Sequence, residues 1–371
     1  VNQFSDFPAP VSGVISLEPS TQYLIGNDID IGVNTLALND GTAVAGIESI
    51  TVTLTYTGTG DMFTGADSTI KVNNLRILCT SGRFINWNDS LGKVLRLTDL
   101  GISCDRFGLF TGNLSSIRLT NVSPTTITSG GMSFAGSFLV VQYSSSLANI
   151  TTGTLIDLGT ATFTGITISN VISNIPLGSI FLSGLVNSGN IMANGGGSLV
   201  SSSISGAGVR LNNITVDDAL WQFLLNDDIA DTRPDGLLAM QGNATATVIA
   251  ASGTYVLIAG TWIIERESQF TDTTAGRLTY NGGRNATVPV TITASVEPVS
   301  GASKDISIQY SKNGVLIADS KISTRTSAGA PSPITIPWQD VVSTNDYIEF
   351  FITNDTDTVD ILVSSAIIRV N

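Results

Sequence analysis

Histidine is absent from all 371 residues. Its absence removes Ser-His-Asp and Cys-His catalysis, His-ligated metals and the imidazole pH switch. Cysteine occurs only twice, as Cys79 and Cys104, which is too few for a disulfide framework, and the pair lacks the CxxC spacing of a zinc site. Charge is also scarce: charged residues make up 13% of the chain, and 17 Lys and Arg against 30 Asp and Glu leave a formal net charge of −13. With no local Lys/Arg run to offset it, that balance argues against a nucleic-acid partner and against anionic membranes. No run of about 20 apolar residues is present, so no membrane insertion is expected. The start of the chain lacks the charged-then-apolar pattern of a secretion signal, and the protein is expected to be soluble.

Acidic residues are unevenly spread. Glutamate occurs at Glu18, Glu48, Glu265, Glu267, Glu297 and Glu349, hence nowhere between Glu48 and Glu265. Between Asp105 and Asp217 the only carboxylate is Asp157. Glycoside cleavage by a carboxylate pair therefore has no candidate pair within the middle of one chain. No catalytic residue, cofactor or metal is assigned.

What the sequence does contain is 42% hydrophobic residues, 37 glycines and abundant Ser, Thr and Asn, a mixture that favours strands and turns. A repeat runs through the first half. Apolar anchors fall at Ile47, Val72, Leu97, Leu119, Val141, Phe163, Leu182 and Ile204, at intervals of 25, 25, 22, 22, 22, 19 and 22. Such a period is one coil of a β-solenoid per repeat. Three residues past the anchors lie Ile50, Leu75, Leu100, Val122, Ser144, Ile166, Leu185 and Ala207, apolar in seven of the eight, and from there a period-two alternation begins, as a half-buried strand requires. The residue between, Asn74, Asp99, Asn121, Gly165, Gly184 or Gly206, suits a tight corner, because Asn, Asp and Gly tolerate positive φ. Cys79 and Cys104 lie seven past their anchors and are expected to stack as reduced, buried neighbours. Leu54 holds the same place one coil earlier. Trp87, with Phe84 nearby, reads as core or interface more readily than as a sugar platform.

This pattern resembles the right-handed β-helices of the pectate-lyase-like group, which includes many bacteriophage tailspikes. The resemblance covers residues 47–214, and KVNNLRI at 71–77 returns as RLNNITV at 210–216. Residues 1–46, with apolar alternation but different spacing, are expected to form an N-terminal capping segment, and 47–216 the parallel β-helix.

The period stops after Val216. The segment DDALWQFLLNDDIADTRPDG, residues 217–236, reads as a linker whose acidic group Asp227, Asp228, Asp231 and Asp235 lacks the spacing of a calcium loop. Residues 237–371 hold short alternating runs separated by turn signals, including Lys312-Asn313-Gly314, as an antiparallel β-sandwich or jelly roll would. YNGG at 280–283, KNG at 312–314 and NDYIEFFI at 345–352 make it resemble the C1q- and TNF-like knobs that close trimeric fibres. The fold expected is thus all-β, a right-handed parallel β-helix followed by an antiparallel sandwich.

Together the resemblances imply a virion appendage, a tailspike, tail fibre or head fibre, made in the host cytoplasm and carried on the extracellular particle. It would contact other virion proteins and bind a host surface glycan or receptor. Host contact is expected on sandwich loops holding Tyr280, Arg284 and Arg325, an aromatic and two cations able to stack on and hydrogen-bond a glycan. A parallel homotrimer is expected, with Trp221 and Leu224 of the apolar segment ALWQFLL near its axis. Two alternatives stay open: a glycan depolymerase combining Asp157 with Asp99 or Asp105 between subunits, and a structural or decoration protein of the virion.

Overall fold

The computed structural model describes the chain except residues 48–50, 146, 187–188, 215–219, 228, 230, 275 and 284. It separates into two compact units, Val1–Asp231 and Thr232–Asn371. Strands dominate both. Among the described residues the only helical pieces are two 3-10 turns, Phe4–Asp6 and Ala318–Ser320, and no helix is long and apolar enough to cross a membrane.

The first unit is a parallel β-solenoid, each coil pairing in parallel with the next. Along one sheet Tyr23, Val44, Val72 and Leu97 pair in succession, and further on Val141, Ile166, Gly197 and Trp221 do the same. The expected period is real, but the anchors drift at both ends. Val44 rather than Ile47 stacks on Val72, and Ile47 is exposed. Ile166 rather than Phe163 stacks on Val141, while Leu182 and Ile204 belong to other strand stacks. Coils differ in length because insertions loop outward without disturbing the inward column. Between Phe163↔Ile191 and Gly165↔Gly196, for example, one strand carries one residue and its partner carries four.

Corner geometry follows the side-chain chemistry. Asn74, Asp99 and Asn121 take φ of +56°, +51° and +52°, and the Asn121 amide donates to Asp99 Oδ1 at 2.7 Å. Asn and Asp are the non-glycine residues best able to hold the left-handed region. Gly206 is also left-handed at +98°, whereas Gly165 and Gly184 are not.

Inside the coils a column of aromatic rings runs through Phe63, Phe84, Phe107, Phe110 and Phe134 to Phe163, with neighbouring centroids 5.2–6.4 Å apart. Each such contact adds about 0.5–1.5 kcal/mol beyond burial. Trp87 is part of the same core, its indole N–H donating to the Ser68 carbonyl. Cys79 pairs with Cys104 in register, both thiols free and buried, with Tyr56 rather than Leu54 one coil earlier. Burial raises the Cys79 pKa to about 11 and pushes Cys104 further up.

The boundaries shift from those expected. Strands Val14–Ser16, Gln22–Ile25, Thr35–Leu38 and Ala43–Gly46 already pair in parallel, so the coils begin near Val14. Only the segment before them behaves as a cap: Phe7 is buried against Tyr23, ring centroids 6.0 Å apart. At the other end, strand Trp221–Leu224 pairs with Ile191–Val200 and belongs to the solenoid, not to a linker.

The second unit is a sandwich of a six-stranded and a seven-stranded sheet, framed by eight strands: β1 (Asp235–Gln241), β2 (Arg277–Tyr280), β3 (Ala286–Pro298), β4 (Lys304–Lys312), β5 (Ile322–Thr326), β6 (Ser332–Val342), β7 (Tyr347–Asn354) and β8 (Ile361–Val370). One antiparallel sheet runs β1-β8-β3-β6 and the other β2-β7-β4-β5, with short strands at their margins. This order is that of a jelly roll. The two sheets share one core, with Val290, Ile292 and Ile368 from the first and Ile308, Tyr310 and Phe350 from the second.

Candidate recognition surface

The residue pattern of β7 decides which side chains the sandwich shows to solvent. In YIEFFITN the residues Ile348, Phe350 and Ile352 enter the core, so Tyr347 and Glu349 point to the opposite face. Arg277 on β2 reaches the same face. Its Nε and Nη2 donate to Glu349 Oε1 at 3.0 and 2.8 Å, and its guanidinium carbon lies 3.8 Å from the Tyr347 ring centroid. Glu349 is 3% exposed, and the guanidinium neutralises a carboxylate that would otherwise be buried charged.

Four residues along β4, about 14 Å away, the same sheet face carries a second polar group. Ser307 on β4 shares a hydrogen bond with Ser323 on β5 at 2.7 Å and bonds the Asp355 carboxylate. Lys321 Nζ lies 3.2 Å from that carboxylate, and this bond raises the lysine pKa. Asp305 pairs across the strands with Arg325, whose Nε is 3.6 Å from Asp305 Oδ1. The Arg325 side chain is 71% exposed, so the pair is worth about 0–1 kcal/mol and leaves the guanidinium available. Nearby, Asp357 is held below the usual carboxylate range by a hydrogen bond from Lys304 and by the Val359 amide.

Arg325 therefore sits on an exposed strand rather than in a loop. Tyr280 does not reach the surface: it is 1% exposed on β2, its ring 5.3 Å from Phe270. The YNGG signal marks a turn that begins one residue after an inward position, so the aromatic goes to the core. Arg284 lies outside the described residues. Tyr347, an aromatic that does lie at this face, was missed, although the alternation in NDYIEFFI signals it.

Trp221 is likewise a core residue. It is fully buried in the last solenoid strand, its ring 5.9 Å from Phe223 at an interplanar angle of 17°, and it lies over Gly197. Alternation turns Trp221 and Phe223 inward, leaving Leu224 half-buried and Leu225 exposed, so the described residues 220–225 present no continuous apolar patch. A buried indole has no surface to offer a partner.

The carboxylates considered for cleavage already have partners. Asp99 accepts from Asn121, Asp105 from Ser129 at 2.7 Å with Arg106 at 3.4 Å, and Asp157 from the Gly159 amide at 3.0 Å. Asp99 holds a corner, Asp157 a turn, and Asp105 links its strand to the next coil. Among the described residues, no group of three or more His, Cys, Asp or Glu is placed to hold a metal.

No protein-family model matches the sequence. No curated protein sequence matches it either. Among solved structures, rabbit GITRL aligns with 37% of this chain over 92% of its own, at a TM-score of 0.24 and 11% identity. The globular domain of zebrafish complement 1qA protein aligns with 38% over 96% of its own, at 0.23 and 9%. PRD1 vertex protein P5 aligns with 37% over 92%, at 0.24 and 15%. Likeness at this level carries no functional argument, and the jelly-roll assignment stands on strand order.

Proposed function

We propose that the protein is a homotrimeric virion appendage, a tailspike or fibre, that binds a host surface glycan through its jelly roll. The observation that carries the reading is the outer face of the β2-β7-β4-β5 sheet. Arg325, Ser323 and the Arg277–Tyr347 pair stand there on strands, with Lys321 and Asp355 in the turns beside them. Cations, hydroxyls and a carboxylate held by their neighbours suit the recognition of a hydroxyl-rich ligand without cleaving it. A parallel solenoid joined to such a domain is a stiff element that can carry it.

Trimerisation has support on the other sheet. Strand Ile263–Ser268 pairs with β1, and the row Ile263, Ala239, Ile367, Thr293, Thr335 crosses four pairings in all without a charge. Ile263 and Ile367 are 60% and 43% exposed. The row is bordered by Arg369, two residues from Ile367 on the same strand, and an uncharged row with two exposed isoleucines is more stable inside an interface than in water.

Two measurements test the reading. Light scattering should give a trimer that Ile367→Lys dissociates. Purified protein should bind host cells, and Arg325→Ala with Lys321→Ala should weaken that binding at least ten-fold. A trimer that never binds cells would instead make it a structural or decoration protein, and release of reducing ends from host polysaccharide would make it a depolymerase.

A further inference from the structure

The chain holds three Asn-Gly pairs, Asn194-Gly195, Asn281-Gly282 and Asn313-Gly314. The fold requires each glycine. A Cβ at residue 282 would collide with the Tyr280 hydroxyl, and one at residue 195 would come within 2.5 Å of the Thr164 carbonyl oxygen. Gly314 takes φ of +76° in the hairpin after β4, where Asn313 is left-handed as well at +53°. None of the three pairs can lose its glycine without strain, so they differ in what holds the asparagine side chain.

Asn313 is held twice. Its Nδ2 donates to Asp346 Oδ1 at 2.7 Å, and its Oδ1 accepts from the Tyr347 amide at 2.9 Å. Asn281 is exposed, and among the described residues neither its side chain nor the Gly282 amide has a hydrogen-bond partner. Asn194 is exposed too, with no side-chain partner among the described residues. It falls with Gly195 among the four residues of strand Ile191–Val200 that oppose Thr164 alone, outside the paired register.

An unrestrained asparagine before glycine places a nucleophile beside an electrophile: the glycine nitrogen reaches the side-chain carbonyl carbon because no Cβ stands in the way. From this geometry we infer that Asn281 and Asn194 are sites of spontaneous self-modification, and that Asn313 is protected by Asp346 and the Tyr347 amide. The Gly282 nitrogen forms a bond to Asn281 Cγ, the Cγ–Nδ2 bond breaks, and ammonia leaves with the proton of the Gly282 N–H. The resulting succinimide ring takes up one water. Opening at Cγ gives aspartate, and opening at the backbone carbonyl gives isoaspartate, whose main chain runs through Cβ and Cγ. Asn194 and the Gly195 nitrogen follow the same steps, and no oxidant or cofactor enters the balance.

One carboxylate per site takes the formal net charge from −13 to −15. At residue 281 the backbone is clasped on both sides: the Tyr280 amide donates to the Asp346 carbonyl at 2.7 Å, the Asn345 amide to the Tyr280 carbonyl at 2.7 Å, and the Asn281 amide to the Gln269 carbonyl at 3.0 Å. Isoaspartate adds one backbone carbon inside that clasp and loosens it, whereas aspartate leaves it in place. The inference stands independently of the proposed function.

Incubation of the full chain in mildly alkaline buffer below its melting transition, followed by peptide mapping and by methyl labelling with an isoaspartyl methyltransferase, tests it. Peptides containing Asn281 and Asn194 should gain the mass of an amide-to-acid exchange and accept the label, faster as pH rises because the attacking nitrogen must lose its proton. The Asn313 peptide should convert at least about ten-fold more slowly, since two hydrogen bonds must break before its amide can turn. In urea all three should convert at similar rates, because all three precede glycine, and Asp346→Ala should bring Asn313 toward that rate in the folded chain. Asn281→Asp should melt with the natural chain, while the isoaspartate fraction of incubated protein should melt lower. Folded Asn313 converting as fast as Asn281, or folded Asn281 or Asn194 unchanged under conditions that convert the unfolded chain, overturns the inference.

Discussion

Replacing Trp221 with alanine distinguishes a core indole from one that faces a partner subunit. The side chain is fully buried, stacks on Phe223 and covers Gly197, where an added Cβ would come within 2.6 Å of the indole. Removing about 200 Å² of buried aromatic surface at about 25 cal/mol per Å² costs about 5 kcal/mol, an upper estimate because unfolded chains already bury some of it. Large-to-small aromatic substitutions in cores cost about 3–5 kcal/mol, so about 4 is expected. At about 2–4 °C per kcal/mol for a unit of this size, the solenoid melting transition should fall by about 10 °C. Scanning calorimetry with far-UV circular dichroism reads that shift, and light scattering on the same samples reads the oligomeric state. Leu224→Ala, at a half-buried outward position, should cost about 1 kcal/mol or less. If Trp221→Ala leaves the transition within 1 kcal/mol of the natural chain yet changes the oligomeric state, the indole faces a partner and the core reasoning is wrong.

Cys79→Ser should destabilise the solenoid by about 1–3 kcal/mol by placing a hydroxyl in an apolar stack, and both thiols should resist labelling until the chain unfolds. Arg277→Met should cost the sandwich about 2–4 kcal/mol in urea denaturation, because Glu349 would keep its burial and lose its guanidinium. Asn121→Ala should cost about 1–2 kcal/mol and Asn121→Gly much less, since the position holds φ at +52°. Burial raises the Asp346 pKa, but bonds from Asn313, the Ser343 amide and Lys312 outweigh it and leave the pKa lowered. Its stabilising contribution is therefore complete above the ordinary carboxylate pKa and disappears as pH falls through the lowered value. Asp346→Asn should flatten the acid limb of the sandwich stability curve below about pH 4.

The candidate surface was only partly legible before folding. Arg325 is expected from the sequence in a sandwich loop, whereas it lies on a strand, in a row with Asp305, Ser307 and Ser323 that only cross-strand pairing assembles. Tyr280 and Trp221 were both assigned to surfaces by composition of their neighbourhoods, and both are inward by strand parity. An aromatic next to Gly and Asn signals a turn without saying on which side of the pleat it falls. A one-residue change of register exchanges the two faces of a strand. Tyr347, by contrast, could have been read from its own strand, where three core residues alternate with it.

Local chemistry alone determined the class of this protein: a coil period with Asn and Asp at the corners, two cysteines one coil apart, and a second half of short strands with hairpin turns. These follow from contacts within a strand or between neighbouring coils, whose spacing is written in the chain. Only the tertiary structure decided which residues share a column once coil lengths vary, where the solenoid begins and ends, and which side chains are left unpaired. Loops of different length shift the register without altering any local signal, and an ion pair depends on what the next coil brings opposite.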